Sequence, residues 1–119
     1  MSFNIVNVAT INGTTIAYSI VPTSTTTILS TVASGHVYKI NSIIAANKTG
    51  TAATITVLYN KSATGYYLAY QMSVPANATL VIIGKDSPIY LMDTTSDYIQ
   101  GLAGTSSAID MIISYEDLS

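Results

Sequence analysis

The chain has 119 residues, of which 49% are hydrophobic and only 8% are charged. This length fits a single domain with one core, and the hydrophobic content excludes an intrinsically disordered chain. Four lysines, no arginine and a formal net charge of −2 provide no basic cluster for a phosphate backbone, so we expect no nucleic-acid partner. The absence of cysteine excludes disulfides and thiolate metal sites.

The low charge also bears on the surface and on the cellular compartment. A soluble monomer normally carries more surface charge than this, so we expect a partner to cover part of the surface. The start of the chain lacks a positively charged segment followed by a long apolar run, and every apolar run is far shorter than a membrane span. We therefore expect no signal peptide and no membrane partner, with synthesis in a cytoplasm.

The first 22 residues are predicted to form a β-hairpin or arm of their own. Two β-prone segments, Phe3 to Ile11 and Thr14 to Val21, flank Asn12-Gly13, which is the strongest short signal for a hairpin turn. Pro22 and the following run of Thr and Ser then act as a spacer. We therefore divide the chain into an arm, 1–22, and a β-sandwich domain, 23–119.

The centre of that domain is predicted to be a pair of long strands. A short strand from Thr27 to Val32 comes first, and Val37–Ala46 and Ala53–Tyr59 follow, joined at Asn47-Lys48-Thr49-Gly50. In the second long strand, Ala53, Ile55, Val57 and Tyr59 lie on one side and Thr54 and Thr56 on the other, which is typical of a sheet with one buried face. The first breaks this alternation at Ser42-Ile43-Ile44, which predicts a bulge or a strand buried on both faces.

The rest of the chain continues as short strands separated by turns. Tyr66–Met72 is predicted to be a strand with Tyr66, Leu68, Tyr70 and Met72 on one side. Thr79–Ile83, Ile89–Met92 and Asp97–Leu102 are the next predicted strands, and in a last strand Ile109, Met111, Ile113 and Tyr115 alternate with Asp110, Ile112 and Ser114. No segment shows a helical period, and turn signals recur about every ten residues. The predicted fold class is all-β: an antiparallel two-sheet sandwich, jelly-roll-like, with the long pair at its centre.

Residues capable of catalysis or metal binding are few and scattered. His36 is the only histidine, and no nucleophile motif accompanies it, so a turn histidine is the favoured interpretation. Asp86, Asp93 and Asp97 could hold a cation, but aspartates in turns are more often capping residues. Glu116-Asp117 fits a solvated terminus better than a general acid and base. We therefore predict no catalytic, cofactor or metal site and no enzymatic activity.

The tyrosines are a more informative group. Tyr59, Tyr66, Tyr67 and Tyr70 lie on two neighbouring predicted strands, and Tyr66 and Tyr67 must face opposite sides. If one of these faces is core, the other is an exposed aromatic surface of the kind enriched in interfaces. The alternative is a set of unrelated surface tyrosines on a sheet.

From about Thr25 to its end, the chain contains a series of turn and strand segments in a recognisable order. These segments are Thr27-Ile28-Leu29, Val37 to Ile43, Asn47 to Gly50, Tyr67-Leu68-Ala69, Val74 to Asn77, Lys85 to Leu91, Asp97-Tyr98-Ile99 and Ile113 to Asp117. In this order they resemble small virion structural proteins of tailed bacteriophages. Met1 to Thr23 lies outside the shared pattern, and Ser96 stands where such proteins usually have a Gly before the matching Asp97. The resemblance implies a β-sandwich that assembles on a capsid or tail, without enzymatic activity.

The function expected from this resemblance is that of a capsid decoration, or cement, protein on the outside of a phage head. The alternative is a tail, neck or baseplate protein that binds a receptor carbohydrate. The expected location is the virion, assembled in the host cytoplasm, and the expected partners are the major capsid protein or another virion protein and further copies of the chain. Low charge and unprotected sheet edges favour a homo-oligomer, and the resemblance favours a trimer. The interface residues we expect are Phe3, Ile5, Val6 and Ile11 in the arm, with Tyr66 and Tyr67 in the sandwich.

Overall fold

A computed structural model describes residues 8–18 and 23–119, and all regular structure in them is β-strand. β6 and β7 have the predicted bounds, β1 runs through the predicted turn at Asn12-Gly13, and the other strands differ from the predicted ones at their ends. The bounds are β1 Ile11–Tyr18, β2 Thr26–Leu29, β3 Val37–Asn47, β4 Ala53–Lys61, β5 Thr64–Val74, β6 Thr79–Ile83, β7 Ile89–Met92, β8 Tyr98–Ala103 and β9 Ile109–Leu118.

The strands form two antiparallel sheets that pack face to face, which confirms the predicted sandwich. Sheet I has the order β1-β9-β3-β6, with β7 also pairing with β3, and sheet II has the order β2-β8-β4-β5. Consecutive strands therefore alternate between the sheets at most connections, and this order is that of a jelly roll.

The core lies between the sheets and is almost entirely aliphatic. In sheet I, β3 and β9 supply the central layer, and in sheet II, β4 and β8 supply the facing layer. Because side chains alternate along each strand, every second residue enters the core over most of these four strands. The exception is the bulge in β3, where the core residues Ile40 and Ile43 are three residues apart. The largest fully buried side chains include Ile40, Ile43, Met111 and Ile113 from sheet I and Ile55, Val57 and Ile99 from sheet II.

The prediction that β3 and β4 pair with each other is wrong, because the two strands lie in different sheets. The link between them crosses from sheet I to sheet II and is held by buried Asn47. Its side-chain amide donates to the carbonyls of Thr51 at 2.9 Å and Val74 at 3.0 Å, and its oxygen accepts the backbone N–H of Thr49 at 2.9 Å. These bonds hold a connection that carries the chain from one sheet to the other, where a hairpin turn would have kept both strands in one sheet.

The predicted break in the alternation of β3 is confirmed as a bulge. Ile40 pairs with Tyr115 and Ser42 pairs with Ser114, so Asn41 is one residue in excess. A second irregularity lies between Ile43 and Ile44 in the pairing with β6. An extra residue reverses which side chains face the core, and this explains why the apolar period changes phase at this point.

The predicted hairpin turn at Asn12-Gly13 is also wrong. Both residues lie inside β1, where Asn12 pairs with Asp117 and Gly13 with Glu116. Gly13 does not have a positive φ, which a type I′ turn would require. The edge of β9 offers β1 a continuous antiparallel register, and pairing along its whole length outweighs a local turn preference. Residues 1–7 and 19–22 of the predicted arm lie outside the described residues.

Candidate functional site

The four strands of sheet II carry almost no charge. Their only charged residue is Lys61, at the end of β4, whereas sheet I contains Lys39, Asp110, Glu116 and Asp117. Proteins normally disperse both signs of charge over a soluble surface. The outer face of sheet II is therefore almost without charge, whereas sheet I carries charges of both signs.

The most exposed apolar groups of this sheet lie on β5. This strand is the last of sheet II, and no described strand pairs with its other edge. Tyr66, Tyr67, Tyr70 and Met72 are all exposed, with Tyr67 and Tyr70 at 59% and 58%. We call this group the β5 aromatic site. An exposed group of large apolar side chains on an edge strand is typical of an interaction surface.

The sides on which these tyrosines lie follow from the register with β4. Tyr66 is opposite Tyr59 and Tyr67 is opposite Leu58, so the expectation that Tyr66 and Tyr67 face opposite sides is confirmed. Tyr66 lies on the side that faces sheet I, beyond the edge of the core. Tyr67 lies on the outer face of sheet II.

Two bulges in β5 place a second ring beside Tyr67. Leu58 pairs with Tyr67 and Val57 with Ala69, so Leu68 is an extra residue. Tyr67 and Tyr70 are three residues apart and would face opposite sides of a regular strand, but the extra residue returns both to the outer face. Their rings meet edge to face, with centroids 4.7 Å apart and planes at 70°. The expectation that Tyr66, Leu68, Tyr70 and Met72 share one side of a regular strand is wrong for this reason.

The second bulge lies at Tyr70-Gln71, where two residues oppose one residue of β4. Gln71 has a φ of 48°, in the left-handed region that residues other than glycine rarely adopt. Its backbone N–H donates to Thr56 Oγ1 at 3.0 Å, so it is bound to a side chain rather than to a carbonyl of the ladder. A left-handed residue with a Cβ costs roughly 1–2 kcal/mol, which the surrounding structure must offset.

The β5 aromatic site is suited to non-covalent contact rather than to catalysis. Paired aromatic rings offer a large apolar area with hydroxyls at its rim, which is the composition of many interface cores. Neighbouring polar groups are already engaged, since Thr56 accepts from Gln71 and the Asn60 amide donates to Gln100 at 3.2 Å.

Of the predicted interface residues in the arm, Phe3, Ile5 and Val6 lie outside the described residues. Ile11 begins β1 and is 61% exposed. It lines a shallow pocket of about 220 Å3 on the outer face of sheet I, together with Val8, Lys39, Tyr90, Glu116 and Leu118. The described structure therefore does not bring Ile11 near Tyr66 and Tyr67, which belong to the opposite sheet.

Apart from Asp86, which is exposed in the turn after β6, the residues considered for catalysis or cation binding have structural partners. His36 Nδ1 lies 2.6 Å from Asp117 Oδ1, which links the start of β3 to the end of β9. Glu116 accepts from the Asn41 amide at 3.0 Å and lies 3.9 Å from Lys39 Nζ. The carboxylates of Glu116 and Asp117 thus bind neighbouring side chains instead of forming the solvated terminus that we expected.

Asp93 and Asp97, in the turn after β7, bind different groups. Asp93 accepts the backbone N–H of Gly35 at 2.7 Å. Asp97 is fully buried and accepts from the Tyr59 hydroxyl at 2.8 Å, the Met92 backbone N–H at 2.9 Å and the Thr95 hydroxyl. Burial, together with this bond to Asp97, raises the pKa of Tyr59 well above its ordinary value. Asp97 therefore serves the turn between β7 and β8.

Within residues 8–18 and 23–119, no three side chains among His, Cys, Asp and Glu are grouped so that they could hold a metal ion. The same residues include no helix that could cross a membrane. No protein-family model matches the chain, and a comparison with curated proteins gives no significant match.

Sequence reasoning identified the tyrosines of β5 but missed how they are arranged. The contact between Tyr67 and Tyr70 depends on the extra residue at Leu68, and the position of Gln71 depends on a hydrogen bond from across the strand. The sequence contains no glycine or proline at either bulge to indicate it. The only signal present was the density of tyrosine itself.

Proposed function

We propose that this protein is a non-enzymatic structural component of a tailed-phage virion, and that it is a capsid decoration protein on the outside of the head. The observation that carries the proposal is the almost uncharged sheet II with exposed aromatic side chains on its edge strand. A surface of this kind is stable in solution when other protein covers it.

Two further observations support the proposal. Jelly rolls are common among viral capsid proteins, although they also occur in lectins and other proteins, so the fold alone does not decide the function. The resemblance to phage virion proteins extends over segments that the structure places in both sheets, from β2 to β9.

The first test is location and copy number in purified virions. Quantitative mass spectrometry should give a ratio to the major capsid protein that is close to that of a head lattice component, and antibody labelling should mark heads. A copy number matching a single tail or neck ring would contradict a decoration role.

We propose that the start of the chain docks the protein onto the head, with Phe3, Ile5 and Val6 as apolar anchors. Removal of residues 1–7 is the appropriate deletion, because it leaves β1 paired with β9. The truncated protein should keep its thermal transition and lose binding to capsids stripped of the native protein. A matched substitution, Val81→Ser on exposed β6, should retain binding. Full binding by the truncated protein would refute the docking role.

A second candidate function is carbohydrate recognition by a tail, neck or baseplate protein. The specific observation in its favour is the exposed pair of Tyr67 and Tyr70, because aromatic rings can stack on sugar rings. A glycan array tests it: reproducible binding that Tyr67→Ala or Tyr70→Ala abolishes would favour this function over head decoration.

A further inference from the structure

We infer that the β5 aromatic site is the surface through which two copies of this chain meet. The inference deepens the proposed function, since it identifies the contact used by the homo-oligomer, but its test uses purified protein without virions. A second copy is the occupant that the area, the charge and the backbone geometry of this surface favour.

The area is the first argument. An aromatic side chain buries on the order of 150–250 Å2 when it is enclosed, and Tyr66, Tyr67 and Tyr70 are each more than half exposed. Of these, Tyr67 and Tyr70 share the outer face of sheet II and together leave on the order of 230 Å2 available, against about 800 Å2 for one side of a standard interface. Tyr66 and Met72 pair with Tyr59 and Ile55 on the core side of the sheet, so they add to this area only where a second copy reaches around the edge of β5.

The charge is the second argument. In a contact between identical copies, each group can face its own kind, so charged residues on the surface would repel one another. The only charged residue in the strands of sheet II is Lys61, which ends β4 opposite Thr64 and lies on the side of Tyr59 rather than on the outer face with Tyr67. A neutral aromatic surface carries no such penalty and is complementary to itself.

The backbone geometry of β5 is the third argument. It disfavours pairing of β5 with a strand of another copy and leaves contact through side chains. The two bulges interrupt the hydrogen-bonding edge of β5 at Leu68 and at Tyr70-Gln71. Bulges of this kind prevent strands of other molecules from extending a sheet. The same bulges place Tyr67 and Tyr70 on one face, so the copies can meet through their side chains.

The test is sedimentation velocity across protein concentrations up to roughly 100 μM, the range over which weak assemblies of this size dissociate. The wild-type protein should sediment as an oligomer. The double variant Tyr67→Ser/Tyr70→Ser should raise the dissociation constant about a hundredfold, as expected for aromatic residues at the centre of an interface. The control Val81→Ser removes an equally exposed apolar side chain from sheet I and should leave the constant within about threefold, as is usual for residues outside an interface.

A labelling experiment gives an independent readout. The chain has no cysteine, so Ser73→Cys on β5 and Ser87→Cys in the turn after β6 each introduce a single exposed thiol. A bulky maleimide should react slowly with the first and rapidly with the second in the oligomer, and equally with both in the Tyr67→Ser/Tyr70→Ser background.

Three results would overturn the inference: a wild-type monomer at the highest concentration, an oligomer unaffected by the double variant, or equal labelling of both thiols in the wild-type background. An oligomer that depends on Tyr67 and Tyr70 in a protein absent from phage heads would uphold this contact while refuting the decoration function.

Discussion

Substitution of Asp97 should be among the most destabilising single changes in this chain. The carboxylate is completely buried and receives hydrogen bonds from Tyr59, Met92 and Thr95. Its own backbone N–H donates to the Met92 carbonyl at 3.1 Å, and its carbonyl accepts from Val32 at 3.3 Å. This one residue thus closes the turn where the chain passes from β7 in sheet I to β8 in sheet II.

The magnitude follows from what Asp97→Ala leaves behind. The hydroxyls of Tyr59 and Thr95 can rotate towards water, whereas the backbone N–H of Met92 cannot. One unsatisfied buried donor costs about 1–3 kcal/mol, and the loss of bonds to a charged acceptor raises the total to about 3–5 kcal/mol. Because stability is typically about 5–15 kcal/mol, the midpoint of thermal unfolding should fall by on the order of 10–20 °C.

The assay is chemical and thermal unfolding followed by circular dichroism, with Asp86→Ala as the matched control. Asp86 is an exposed aspartate in the turn after β6, so its loss should change the free energy of unfolding by less than about 0.5 kcal/mol. Tyr59→Phe removes one of the three donors and should cost about 1–2 kcal/mol. If Asp97→Ala destabilises no more than Asp86→Ala, the carboxylate does not secure the turn, and the reasoning fails.

Three further predictions concern stability. The hairpin between β4 and β5 turns through Ser62 and Ala63, both with positive φ, so replacing them with Asn-Gly should raise the free energy of unfolding by about 1–2 kcal/mol in urea titrations; no gain would mean that the turn carries no strain. The folded-state pKa of Tyr59 lies above the unfolded value of 10.0, so its contribution to stability is complete below pH 10 and is lost as the pH rises further. Unfolding titrations at alkaline pH should therefore show a shallower loss for Tyr59→Phe than for the wild type, and equal slopes would contradict this. A Cβ at Gly101 would lie 3.0 Å from Met111 Sδ, so Gly101→Val should cost about 1–3 kcal/mol while Gly101→Ala, which the flexible methionine can accommodate, costs clearly less; equal effects would indicate spare room between the sheets.

Local sequence signals predicted where the strands begin and end better than which strands pair with each other. β6 and β7 were predicted residue for residue, because Pro75, Gly84 and Pro88 bound short apolar runs. The link between β3 and β4 looks the same in sequence whether the strands pair or separate into two sheets. What decides between them is the buried Asn47 side chain, whose partners include the carbonyl of Val74, 27 residues away.

The failure at Asn12-Gly13 has a related cause. Both residues tolerate positive φ, but tolerance does not impose a turn when a long partner strand is present. That partner is β9, about 100 residues later in the chain, and its regular register with β1 runs from Ile11 to Tyr18. A contact at such separation leaves no mark in the local sequence around residues 11–18.

Local sequence also failed to predict the arrangement of the β5 aromatic site. A period of two assigns Tyr67 and Tyr70 to opposite faces, and only the extra residue at Leu68 brings the rings together. The two bulges bend β5 and increase its twist, which hinders another strand from continuing the ladder along its free edge. Association through side chains can close into a small symmetric assembly, whereas ladder extension along an open edge tends towards fibres. The bulges of β5, one of which holds Gln71 in a left-handed conformation, therefore favour a closed assembly of a few copies over a sheet that extends from copy to copy.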